Sequence, residues 1–359
     1  MTITYEIDPG GDLNLVLRDP NTQRIVPIIN KEKGDSNDAF DNPPLVGRYT
    51  MFNADEDDSD DQARSEDVIV EVHFHVSSRH LILASRTFRK MLEGNWSESS
   101  SNSIQSGRRQ IQTTGWDAAA FAIVLDAIHG RHHDIPKCTN LGLLTRIATI
   151  VDYYECHESL QLIGDVWMAT LRAACKLPTN LCQSTLLWLY ISWVFSEKEV
   201  TSTITKMLLE ESEGLSEIDS FDLPLSGIID IIETKRQELI SRLIDGLDDL
   251  RKTLTEEKVC LRGSGDSTCS ATMLGILIRE AHKLKLLDPP LTSPYNGYSI
   301  SSLKERIASF PMPRQDNHNY GSYHRYYQGP SSCTIYSRLE VLLEEIDDDM
   351  KSFDLTTQE

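Results

Sequence analysis

Apolar residues alternate with polar ones in "DLNLVL", residues 12–17, directly after Gly10-Gly11. That is the period of a half-buried strand. The same period recurs in "VIVEVHFHV", residues 68–76, where Val68, Val70, Val72, Phe74 and Val76 share one side. "RRQIQTTG", residues 108–115, predicts a shorter strand. Between these strands the period changes. Ser77-Ser78 offers a helix cap, and Leu81, Leu83-Ala84, Phe88, Met91 and Leu92 predict two short helices joined near Ser85. Gly94 is placed to end the second. Ala120, Phe121, Val124 and Ile128 predict a helix over 116–130. Leu144, Ile147, Ala148, Val151 and Tyr154 predict another over 140–160. Strands with helices clustered behind them make an α+β domain.

The rest reads as mostly α-helical. Residues 161–175 and 180–211 carry helical patterns, and within them "LLWLYISWVF", residues 186–195, predicts a buried helix. That run is about half the length a membrane-spanning helix needs. Ile228, Ile232, Leu239, Leu243, Leu247, Leu250 and Leu254 form a stripe through 224–254, interrupted by Arg236. Two readings stand: a long helix packed on its own chain, or a dimer seam. A break is expected over 261–272 and a helix over 273–287, ended by Asp288-Pro289-Pro290. A polar aromatic loop over 317–332 precedes a last amphipathic helix with Leu339, Leu342, Leu343, Ile346 and Met350. The expected organisation is a first domain over 1–165, a helical region over 166–258, and a C-terminal helical and loop region over 259–359.

Charge narrows the function classes. The 359 residues carry a formal net charge of −20, and Lys and Arg form no stripe along the sequence. Nucleic acid and anionic membrane surfaces are therefore not expected partners. The acidic run "NADEDDSDD", residues 53–61, lies in a stretch poor in pattern and predicts a disordered insert over about 35–66. The opening residues lack the basic start and apolar core of a signal peptide. Seven scattered cysteines then suit reduced thiols inside the cell, in cytoplasm or nucleus.

Catalytic chemistry is sparsely supplied. There is no G-x-S-x-G elbow, and Gly263-Ser264-Gly265 lacks the Lys-Ser or Lys-Thr of a phosphate loop. No cofactor is expected, and the chain is read as a non-enzyme. His157 beside Glu158, and His282 near Glu280, are the acid–base candidates of an enzyme reading. "HGRHHD", residues 129–134, reads as a solvated turn. Cys260, Cys269, His324 and Cys333 form a candidate zinc cluster, two pairs each separated by eight residues. Zinc ribbons use shorter spacings, so buried or unpaired thiols are the alternative.

One stretch carries a family resemblance. His73-Phe74-His75-Val76-Ser77-Ser78, Leu81-Ile82-Leu83-Ala84-Ser85, Phe88, Met91-Leu92 and Gly94-Asn95-Trp96-Ser97-Glu98-Ser99 resemble the core of a BTB/POZ domain of the filamentous-fungal type. Gly11-Asp12-Leu13-Asn14-Leu15 is similar to the family's first strand. Ala120-Phe121, Leu125, Ile128-His129-Gly130-Arg131, Ile135-Pro136, and then Ala148, Asp152-Tyr153-Tyr154 and Cys156, sit where its next helices lie. The gap between the first two strands is longer than in the compact family form, and no zinc-finger or kelch repeats follow. The resemblance implies a protein-interaction module that self-associates or recruits a cullin-based ubiquitin ligase, an adaptor with the C-terminal half as client binder. The polar end of the second helix, with Arg89, Glu93, Asn95, Trp96 and Glu98, is then the expected docking surface. A scaffold without a ligase link, dimerising through 228–254, and an enzyme with an unrecognised site remain the alternatives.

Overall fold

The computed structural model describes residues 2–29, 40–53, 71–93, 109–258, 267–287, 289–312 and 333–355. The chain divides into two compact units, Met1–Ile204 with Ile218–Ser226, and Thr205–Glu217 with Gly227–Glu359.

The first unit is α+β. Its strands are β1 (Thr2–Glu6), β2 (Leu13–Arg18), β3 (Glu71–Val76) and β4 (Arg109–Thr114), and they form one sheet in the order β1-β3-β2-β4. β2 runs antiparallel to β3, while β1–β3 and β2–β4 are parallel pairs. The expected β2 forms, and β3 forms over Glu71–Val76, since Leu13, Leu15, Leu17, Val72, Phe74 and Val76 are all buried; Val68 and Val70 of the expected strand lie outside the described residues. β1 was not expected. Its buried Tyr5 is fixed by a partner strand far along the chain, Tyr5 facing Phe74 in the register.

Helices α1 (Ser78–Ala84) and α2 (Arg86–Glu93) follow β3. Helices α3 (Ala118–Ile128) and α4 (Leu141–Tyr153) follow β4. Every residue of α3 is buried, and Phe121 meets Phe74 of the sheet edge-on at 5.4 Å. Side-chain caps fix both starts: Asp117 accepts from Ala120 N–H and Asn140 from Leu143 N–H, each at 2.8 Å. The helix expected over 140–160 is in fact two. Glu155 adopts a positive φ of 49°, and α5 (His157–Ala174) starts afresh beyond it. Most of the apolar run at 186–195 is buried as expected in α6 (Gln183–Val194), with Trp193 and the C-cap Phe195 half-buried.

Residues 40–53 fall inside the stretch expected to be disordered, yet they are folded. A 3-10 helix spans Gly47–Phe52 and buries Tyr49. The cause is Asp126 on α3, fully buried, which accepts hydrogen bonds from Tyr5 Oη at 2.6 Å and Tyr49 Oη at 2.9 Å, with Arg48 Nη1 at 3.4 Å. The acidic run itself, from residue 54 onwards, lies outside the described residues.

The second unit is helical. α7 (Lys198–Glu211) crosses the boundary between the units, and α8 (Ser226–Glu256) is the long helix of 31 residues. α9 (Ser267–Lys283), α10 (Ile300–Ala308) and α11 (Ile335–Ser352) complete the described helices. α9 begins inside the expected break, and α10 was not expected. Ile232, Leu239, Leu243, Leu247, Leu250 and Leu254 of α8 are buried within the chain, so the dimer-seam reading of this stripe is corrected. Arg236 does not interrupt the buried face; it is buried too. It forms a two-pronged pair with Glu233, Nε–Oε2 at 2.8 Å and Nη2–Oε1 at 2.7 Å. Its remaining donors reach Tyr298 O and Pro294 O.

Candidate functional site

The resemblance directs attention to α1 and α2, and the sequence explains how they are held. Ser77 begins α1 without a side-chain cap of its own. Instead Asp12, at the entrance to β2, accepts from Ser78 N at 2.8 Å and Ser78 Oγ at 2.6 Å. Burial alone would raise the Asp12 pKa, but these hydrogen bonds and the Arg109 charge outweigh it and hold the carboxylate below its ordinary value. Ser77 N–H donates to His129 Nε2 at 3.0 Å, while His129 Nδ1 lies 2.7 Å from Leu125 O. His129 is thus built into the start of α1 as a neutral ring. The solvated-turn reading of "HGRHHD" is corrected for this residue and holds for His132 and His133, which are exposed.

Ser85 separates α1 from α2 and serves both. Its Oγ donates to Tyr154 O and accepts from Phe88 N–H at 2.9 Å, so it caps α2 and ties it to the end of α4. Phe88 then stacks on Tyr154, with ring centroids 4.2 Å apart and an interplanar angle of 11°. The Tyr154 hydroxyl donates to Thr113 Oγ1 of β4 at 3.0 Å. Leu81, Phe88 and Leu92 turn inward, while Arg79, Leu83, Arg86, Arg89, Lys90 and Glu93 are exposed.

That outward surface has a distinct character. Leu83 is 80% exposed. Arg79, one turn before it, is exposed, as are Arg86, Arg89 and Lys90 of α2. Residues 78–93 hold these four cations against one carboxylate, Glu93, in a chain of net charge −20. Arg89, expected to contact a partner, is engaged within the pair: its Nε and Nη2 donate to Ile82 O at 3.2 and 3.0 Å, which brings its charge next to Leu83. Glu93 is exposed at the end of α2. Asn95, Trp96 and Glu98 lie outside the described residues. Leu83 is the residue that sequence reasoning missed; its apolar type placed it in the core pattern, although Leu81 already fills that face.

A polar cleft of about 730 Å³ lies elsewhere in the first unit, lined by Asn21, Gln23, residues 41–45, Phe52, Asn53, Asp117 and Arg146. Two of its charged groups, Arg146 and Asp117, are engaged. Arg146 Nη1 donates to Phe40 O at 2.6 Å and its Nε lies 3.7 Å from Asp117, which is occupied as a helix cap. The cleft lining holds no histidine, cysteine or lysine; its carboxylates are those of Asp41 and Asp117. Of the acid–base candidates, His157 and Glu158 are exposed at the start of α5. Glu280 accepts from Lys283 and Arg279 on α9. Of the zinc candidates, Cys269 and Cys333 come together, with sulfurs 3.6 Å apart, while Cys260 and His324 lie outside the described residues. Among the described residues no group of three or more potential metal ligands occurs.

No family profile matches the chain, and no curated protein matches its sequence. Among the described residues no helix is long and apolar enough to cross a membrane.

Proposed function

We propose that this chain is a protein-interaction module of the BTB/POZ type, acting as an adaptor that brings a client to a cullin-based ubiquitin ligase. The observation that carries the reading is Leu83, 80% exposed on a helix pair that also exposes Arg79, Arg86, Arg89 and Lys90. An apolar anchor accompanied by exposed charges suits protein docking, where the apolar group supplies affinity and the charges supply orientation and rate. The cations select an acidic partner surface. Four of them are too few to make a phosphate-tracking groove, which favours protein over nucleic acid. The element order also supports the family reading, since a strand leading directly into a capped helix pair is what the resembling residues imply.

The test is capture by the immobilised full-length chain from lysate of the source organism, beside a Leu83→Asp variant. Retention of a cullin, lost in the variant, is the expected result. Retention of only the chain itself would replace the adaptor with a self-associating scaffold. That second reading has its own observation: Leu162 and Val166, one turn apart on α5, are 85% and 42% exposed. Sedimentation of wild type and Leu162→Glu separates the two.

A further inference from the structure

Two cysteines distant in sequence meet in the second unit. Cys269 lies in the first turn of α9 and Cys333 immediately precedes α11, yet their sulfurs are 3.6 Å apart across a sequence separation of 64 residues. Both positions are set by regular structure. Thr334 caps α11, accepting from Ser337 N–H at 3.0 Å while Ser337 reciprocates, and this fixes the residue before it. Glu257 braces the two elements against each other: it accepts from Ser270 Oγ at 2.8 Å, next to Cys269, and from Arg338 Nη2 at 3.0 Å, one turn into α11. Met273, one turn along α9 from Cys269, adds a third sulfur 3.8 Å from that of Cys333.

We propose that Cys269 and Cys333 are an oxidisable dithiol, converted by hydrogen peroxide into a disulfide that staples the start of α9 to the start of α11. Their exposures divide the roles. Cys269 is partly exposed and meets the oxidant; Cys333 is 4% exposed and resolves the product. The helix N-terminus favours the thiolate at Cys269, and the Arg338 guanidinium is close enough to interact electrostatically with the Cys333 sulfur. The Cys269 thiolate attacks one peroxide oxygen, the O–O bond breaks, and hydroxide leaves and takes a proton to become water. The Cys333 thiolate then attacks the resulting sulfenic sulfur, the S–O bond breaks, and a second water forms. Two thiols are oxidised by two electrons, the peroxide is reduced by two, and both thiol protons end in water. The sulfurs need only close from 3.6 Å to a bond of about 2.05 Å.

The experiment uses the full-length reduced chain, treated with hydrogen peroxide, blocked with an alkylating agent and mapped by mass spectrometry without reduction. The expected result is a Cys269–Cys333 linked peptide, about 2 Da lighter than the sum of its parts and released by dithiothreitol. In Cys333→Ser, Cys269 should accumulate as a dimedone-reactive sulfenic acid. Exposed Cys138 and Cys175 are internal controls for oxidant dose. Recovery of both thiols in alkylated form, when the controls are oxidised, would overturn the proposal. So would a link from Cys269 to Cys260, or zinc retained by the untreated chain and lost in Cys269→Ser.

Discussion

Gly11 precedes β2 at a point where a methyl group would lie 2.5 Å from Val76 O and 2.9 Å from Asp8 O. Both neighbours are backbone and cannot step aside cheaply. Gly11→Ala should therefore cost about 1–3 kcal/mol in a denaturant titration, as for other overpacked sites. His129 makes a second prediction. Burial holds its pKa below the ordinary 6.5, with the His80 ring adding to the effect and the Leu125 carbonyl opposing it. The unfolded chain then takes up a proton below 6.5 that the folded chain refuses. Stability should be complete above that pH and fall as pH drops through the window beneath it. Thermal melts across pH 5–8 check this, and the slope should flatten in His129→Gln. Single residues of this kind were only partly legible in the sequence. Gly11 could be read as a strand entrance, but the helix-capping role of His129 depends on Ser77, 52 residues away.

At the scale of elements, local periodicity served where one element supplies its own signal. β2, β3, the α1–α2 pair, α3 and α8 were all legible from apolar spacing. It failed at boundaries set by a single backbone angle, as at Glu155 between α4 and α5, and at Ser196 (φ 58°) between α6 and α7. It failed also at β1, whose five residues are too few for a pattern and whose pairing is non-local. Arg236 illustrates the limit on α8. A cation in an apolar stripe looks like an interruption until its partners appear: Glu233, Pro294 O and Tyr298 O. Glu233 in turn accepts from Leu215 N–H and Gln237 Nε2. Arg236→Met should cost about 3–5 kcal/mol by stranding the buried carboxylate, while Glu233→Leu combined with Arg236→Met should cost much less. A double-mutant cycle in urea measures the difference. Burial would raise the Glu233 pKa, but the bonds from Arg236 and Gln237 prevail and lower it below 4.5. The stability it supplies is present above that pH and lost as pH falls through the depressed value, so Glu233→Gln should be less stable at neutral pH and less sensitive to acid.

At the scale of the molecule, a chain of net charge −20 presents four exposed cations on α1 and α2, a locally basic patch of its sequence. Partner association through that patch should weaken as salt rises, because exposed charges more than about 8–10 Å apart are screened at physiological ionic strength. The fold class was legible from the order of strands and helices. The candidate site was legible only in part: the sequence pointed to the end of α2, whereas the outward surface of α1 needed the structure to show that Leu81 turns inward and Leu83 does not. Leu83→Asp removes the anchor without touching the core, so its effect on stability should stay within about 0.5 kcal/mol. The most direct measurement is affinity capture from lysate by the immobilised full-length chain, wild type beside Leu83→Asp, with the retained proteins identified. The interaction-module account predicts a cullin retained by wild type and reduced at least about tenfold in the variant, a loss of roughly 1.4 kcal/mol or more. Equal retention by both chains, or no protein retained by either, would contradict it.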